Sequence, residues 1–200
     1  MPASSHRIAL LLVLLAGASS RAPAQWVFTA EVGGARFWGA SAPIGGDGPS
    51  FHPYRPTVFG VGVERQGTRL GWGVQLQYAG ASLALEGKDA VAAVKGVVDI
   101  YGIAPELTVL VKRFETGLRL GVFGGPLLEF WDIGAELSHT RIGAQLGVGL
   151  QVPLGTRVLA GVSVSGAVSP SPFEERDLEG GYEPRTLWRR KMSATVRYRL

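Results

Sequence analysis

From Arg141 to Val152 every even position is apolar (Ile142, Ala144, Leu146, Val148, Leu150, Val152) and every odd position is Arg, Gly or Gln. A period of two held this long dictates an extended strand with one apolar and one polar face, because successive side chains of a strand point to opposite sides. Similar stretches recur along almost the whole chain. The fold must therefore satisfy many two-faced strands at once.

The amino-terminal end does not share this pattern. His6 and Arg7 give a weakly basic start, Ile8 to Ala18 is apolar, and Ala22-Pro23-Ala24 has the form of a cleavage site, which predicts a secretory signal peptide over 1–24 with Gln25 as the first mature residue. The apolar run is shorter than the roughly 20 residues a membrane-spanning helix needs. Every later run is interrupted by Gly, Gln, Arg or Glu. The chain has no cysteine, so a disulfide framework and a lipidated amino-terminal cysteine are both excluded.

An exported chain of two-faced strands has two solutions: apolar side chains inside a soluble barrel of lipocalin type, or outside in a membrane. The low charged share of 18% and the 29 glycines favour the second, with lipid on one face and small residues on the other. Removing Arg7 and Arg21 with the signal leaves 18 basic against 16 acidic side chains, so the formal charge falls from +4 to +2. This balance carries no argument for nucleic-acid binding.

The alternation predicts eight strands near 26–38, 56–65, 69–84, 98–111, 115–129, 140–152, 156–168 and 187–200. The connections at 66–68, 112–114 and 153–155 are short, whereas those at 39–55, 85–97, 130–139 and 169–186 are long and rich in Gly, Pro and charge. Short periplasmic turns alternating with longer external loops are the habit of outer-membrane barrels, and an even strand count returns both ends to one side. The expected fold is all-β: an eight-stranded antiparallel up-and-down transmembrane β-barrel over 25–200, in the bacterial outer membrane.

Face assignment sharpens this expectation. Trp26, Phe28, Ala30 and Val32, or Leu70, Trp72, Val74, Leu76 and Tyr78, would face lipid, and no such set carries a charge. Aromatics near strand ends suggest two interfacial girdles: Trp26, Trp72, Phe114 and Tyr198 at the periplasmic edge, and Phe37, Trp38, Tyr78, Tyr101, Phe130, Trp131 and Trp188 at the outer one. Two features strain the scheme. Pro105 lies mid-strand, where it removes a ladder hydrogen bond, and the apolar parity switches after Gly80, which implies a bulge or emergence from the membrane.

At the carboxyl end Met192, Ala194, Val196, Tyr198 and Leu200 alternate with Ser193, Thr195, Arg197 and Arg199, and the strand ends the chain. This resembles the final strand of bacterial outer-membrane proteins, and the mature chain resembles the small eight-stranded barrels of the OmpA and OmpX type. The resemblance implies recognition by the barrel assembly machinery through Tyr198 and Leu200, although Leu200 stands where the family usually ends in Phe. It also implies a stand-alone barrel, monomeric, whose partners are outer-membrane lipid and lipopolysaccharide.

Candidate functional residues fall into two groups. Glu31, Glu64 and Glu106 would point into the lumen with Arg119, Arg157 and Arg197, and Glu129 with Arg141 would form a second group nearer the outside. Glu106 is expected near Arg119 across a hairpin, and Arg197 near Glu31 where the barrel closes. An eight-stranded lumen is barely wide enough for its own side chains, so ion pairs together with Gln75, Gln77 and Gln145 would plug it. The second group, Arg185, Arg189, Arg190 and Lys191, would line an outer rim against lipopolysaccharide phosphates, to which Arg is geometrically suited.

The expected role is structural or surface-interacting, without enzymatic activity. The alternatives are a narrow channel and a lipid A-modifying enzyme. For the enzyme, Ser138 and His139 beside Glu136, with His52 in the first long loop, are the candidates, but adjacent strand residues point to opposite faces and cannot meet in a regular strand. The Gly-Val-Gly and Gly-Trp-Gly triplets open no helix, unlike phosphate-binding loops. With no Cys and three His, no metal cluster or cofactor is expected.

Overall fold

The structure is a computed structural model and describes residues 25–45, 50–86, 91–134, 137–178 and 181–200. The predicted signal peptide over 1–24 and Glu136 lie outside the described residues. Those described form eight strands: β1 (Gln25–Pro43), β2 (Ser50–Gln66), β3 (Leu70–Glu86), β4 (Val91–Arg113), β5 (Arg119–Ile133), β6 (Leu137–Pro153), β7 (Val158–Ser169) and β8 (Tyr182–Arg199). Each pairs antiparallel with the next, and β8 pairs with β1, so the sheet closes with no free edge. A 3-10 turn, Glu175–Asp177, lies between β7 and β8.

The strands run further than the side-chain pattern does. Pro43 pairs with Tyr182, Ser50 with Glu86 and Leu85 with Ala92, so much of the sequence expected in long loops is barrel wall. Backbone N–H and C=O groups pair whatever side chains they carry, and a ladder continues into segments with no period of two. At the opposite end the turns are tight. The one after β4 lies later than expected, at 114–118, where Gly117 has φ 84° and Phe114 N donates to Leu118 O at 2.8 Å. The parity switch after Gly80 is a register shift between Ala81 and Leu83.

Following the register once around fixes the stagger of the barrel. Trp26 pairs with Arg65, Arg65 with Trp72, Trp72 with Leu107, Leu107 with Gly124, Gly124 with Leu146, Leu146 with Gly166, Gly166 with Arg190, and Arg190 with Arg36. The path returns to β1 ten residues beyond its start, from Trp26 to Arg36. Strand tilt and stagger are linked by closure. Residues at one height are therefore not the ones opposite each other in the ladder.

Pro105 is accommodated by a second proline. Between β4 and β5 pairing stops after Ile103↔Leu128 and resumes at Leu107↔Gly124 in the same register, which sets Pro105 opposite Pro126. Neither residue has an N–H to give the other, so the ladder loses the rungs at 104–106 while both prolines keep their places against Val74 and Ala144 on the other sides.

The exterior is apolar: Phe28, Phe59, Leu76, Ile142, Leu146, Val162 and Val196 are exposed. The interior is divided. Toward the tight turns it is polar, whereas toward the other end Phe37, Val58, Val98, Ile100, Trp131 and Leu187 form a buried apolar cluster. Phe37 and Trp131, expected in the outer girdle, are each 1% exposed and stack edge-on inside, with ring centroids 5.9 Å apart. They share parity with Glu31 and Glu129, which point inward. Trp38, Tyr78, Tyr101, Phe130 and Trp188 do lie on the outside.

Candidate functional site: the barrel interior

Small residues create the room that the interior carboxylates occupy. A Cβ on Gly60 would fall 2.6 Å from Glu31 Cγ, and one on Gly71 would overlap the Glu64 carboxylate. Each acid thus lies over a glycine of the neighbouring strand. Gly60 and Gly71 are placed by the period of two, like the acids themselves.

Three buried cations meet these acids. Lys191 Nζ donates to Glu31 Oε1 at 2.6 Å, and Ser193 Oγ donates to Glu31 Oε2 at 3.2 Å. Arg189 Nη1 donates to Glu129 Oε1 at 3.0 Å, with Ser169 Oγ on the other oxygen at 3.0 Å and Gln77 Oε1 accepting from Arg189 Nη2 at 3.4 Å. Arg197 pairs with Glu64. Glu106 accepts from Gln145 Nε2 at 2.7 Å and pairs with no cation among the described residues. A cavity of about 80 Å³ touches Glu31, Glu64 and Arg197 of these pairs, together with Glu106 and Gln151.

Several expected placements are corrected. Arg189 and Lys191, read as an external rim, are 6% and 2% exposed and lie inside. The alternation at the carboxyl end continues upstream of Met192, so odd positions of β8 still face inward at 191 and 189. Arg157 stands in the exposed β6–β7 turn, where its Nη1 donates to Tyr198 Oη at 3.4 Å. This bond raises the Arg157 pKa further.

Arg197 lies with Glu64 and not Glu31, because the ten-residue stagger and the length of Lys191 bring a different cation to Glu31. Arg119 is opposite Arg113, and its Nε is buried without a hydrogen-bond partner; Glu106 is far up β4 from it. Glu129 and Arg141 are register partners, yet Glu129 takes Arg189. Of the remaining rim residues, Arg185 is exposed beside Glu183 and Arg190 faces outward.

Arg141 instead anchors the segment that covers the apolar end. Its Nε donates to Ser171 O at 2.5 Å and Nη2 to Pro172 O at 3.4 Å, while Glu174 Oε1 is 3.7 Å away. Ser171 Oγ donates to Ala40 O at 2.6 Å, and Phe173 is buried in the apolar cluster. His139 is buried, with Nε2 2.8 Å from Asp177 Oδ2 but not aligned for a hydrogen bond. Ser138 is exposed on the opposite face, so it and His139 do not meet. Among the described residues no group of His, Asp and Glu is disposed to hold a metal ion.

No protein-family model and no curated protein sequence matches the chain. Solved structures do match. Neisserial surface protein A aligns with TM-score 0.57 at 10% identity over 87% of this chain and 96% of that one. The fold is that of the small outer-membrane barrels. The outer membrane protein OprG from Pseudomonas aeruginosa aligns with TM-score 0.54 at 11% identity, covering 88% and 96% of the two chains, and the outer membrane protein AlkL with TM-score 0.50 at 16% identity, covering 92% and 94%. At these identities the likeness is one of architecture, and on that ground the OmpA and OmpX type of barrel describes this chain. The interior ion pairs and the covering segment are read from this chain alone.

Proposed function

We propose that this protein is an integral outer-membrane barrel with a closed lumen and a structural or surface-interacting role. The observation that carries the reading is the content of the interior. Three buried ion pairs, an apolar cluster above them and a segment pinned over that cluster take up much of the lumen, beside a cavity of about 80 Å³. A wide path for solutes needs the opposite, a hydrated lumen with charges on its walls. The uncharged outer band and the aromatics at both of its edges support the membrane location. Export by a signal cleaved after Ala24, and assembly through Tyr198 and Leu200, belong to the same proposal. A surface role also accords with the name of the Neisserial protein that shares the fold.

Planar bilayer recordings on the purified, refolded protein test the closed lumen. No stepwise current is expected, and steady unitary conductance in salt would overturn the reading in favour of a narrow channel. Fractionation of expressing cells tests the location. The protein should sediment with outer membranes and migrate faster on a detergent gel unheated than boiled; recovery in the soluble periplasm would overturn it.

A further inference from the structure

Two arginines stand side by side on the outer wall, and no carboxylate among the described residues neutralises them. Arg36 of β1 and Arg190 of β8 are direct register partners, and both side chains are exposed on the outward face. Among the described residues neither has a carboxylate within ion-pair distance; Arg190 stacks over Trp38, 5.4 Å from the ring centroid. Like charges directly opposite in a sheet destabilise it. An anion shared between them would turn that repulsion into attraction.

Their height identifies the anion. From Trp26 to Arg36 the strand climbs ten residues. At about 3.3 Å per residue and a tilt of about 35–45°, ten residues rise about 23–27 Å, against an apolar band about 25 Å tall. The outward residues between them are Phe28, Ala30, Val32 and Gly34, with no charge. Trp38 and Trp188, paired one layer further out and both exposed, mark the interface. The guanidiniums thus stand where lipid acyl chains end and headgroup phosphates begin.

The wall beside them is recessed. Gly34 and Gly166 are both exposed, and Gly166 is the register partner of Arg190 on β7. A Cβ on Gly34 would meet nothing within 4 Å, and one on Gly166 only a backbone oxygen at 3.9 Å. Two outward side chains are thus missing from the wall, one on each side of β8, and there an acyl chain can lie close to the backbone.

We propose that Arg36 and Arg190 clamp the phosphorylated headgroup of an outer-leaflet glycolipid, its phosphate bridging the two guanidiniums and its apolar part lying against the wall at Gly34 and Gly166. Two planar forks presented to one phosphate make charge-assisted, bidentate hydrogen bonds that a lysine ammonium does not reproduce. The proposal rests on the outer-membrane reading above. Its test uses reconstituted protein, so that a failure of cellular location and a failure of the clamp are seen separately.

Purified protein in phosphatidylcholine vesicles is titrated with bisphosphorylated lipid A, with the same lipid dephosphorylated, and with phosphatidylglycerol at equal charge. Trp38 and Trp188 serve as fluorescent reporters. Binding of the phosphorylated glycolipid should weaken roughly ten-fold in the double variant Arg36→Gln with Arg190→Gln, and by less in Arg36→Lys with Arg190→Lys. Faster migration of unheated samples confirms that each variant is folded. Equal binding by wild type and the Gln variant, or equal binding of phosphatidylglycerol, would overturn the clamp. Competition by millimolar inorganic phosphate alone would also overturn it, by making the free anion sufficient.

Discussion

Replacing Lys191 by Met exposes the logic of the interior in one step. Lys191 and Glu31 side chains are 2% and 3% exposed, with Nζ and Oε1 2.6 Å apart. At an effective dielectric of about 20, charges at that separation attract by about 6 kcal/mol before desolvation is counted. Met fills much of the Lys volume but leaves the Glu31 carboxylate with Ser193 as its remaining side-chain donor among the described residues. Removing one member of a buried pair costs about 3–5 kcal/mol, because the abandoned charge stays desolvated.

The double variant Glu31→Gln with Lys191→Met removes both charges and should recover most of that loss, since apolar or neutral replacements of a buried pair are often neutral or stabilising by about 1–4 kcal/mol. The assay is reversible urea unfolding in lipid vesicles, followed by tryptophan fluorescence and by the shift between unheated and boiled bands. A change below about 1 kcal/mol for Lys191→Met is the behaviour of a solvated pair. That result would refute the argument and indicate a water-filled lumen.

The same packing sets three further outcomes. Glu106 accepts from Gln145 and pairs with no cation among the described residues, so Glu106→Gln should cost about 1 kcal/mol or less in the same unfolding assay; a loss near that of Lys191→Met would mean that a cation depends on it. A Cβ on Gly125 would overlap the Pro105 carbonyl, whereas one on Gly34 meets open space. Gly125→Ala should therefore lower stability by about 1–3 kcal/mol and Gly34→Ala by under about 0.5 kcal/mol, and equal effects would contradict the close approach of β4 and β5. Arg141→Ala removes its bonds to Ser171 and Pro172, so trypsin should cut faster after the exposed Arg176 on the folded protein; an unchanged cleavage rate would show that the Ser171–Ala40 bond and buried Phe173 hold the segment without Arg141.

The period of two was enough to determine strand number, the antiparallel order and which face each side chain takes. That follows because the geometry of an extended chain alternates side chains without reference to anything distant. Even the misplacements of Phe37, Trp131, Arg189 and Lys191 were legible in principle, since each lies on the inward parity of its own strand and was drawn outward only by its type or by a supposed loop. What parity cannot express is which inward residues meet. Lys191 reaches Glu31, Arg197 reaches Glu64 and Arg189 reaches Glu129 because closure imposes a ten-residue stagger on all eight strands together. Pro126 opposite Pro105 and the folding of Ser171 to Phe173 over the apolar end are likewise set by closure and packing. These are long-range contacts between residues 21 to 160 positions apart, and a local alternation carries no information on them until the ring is shut.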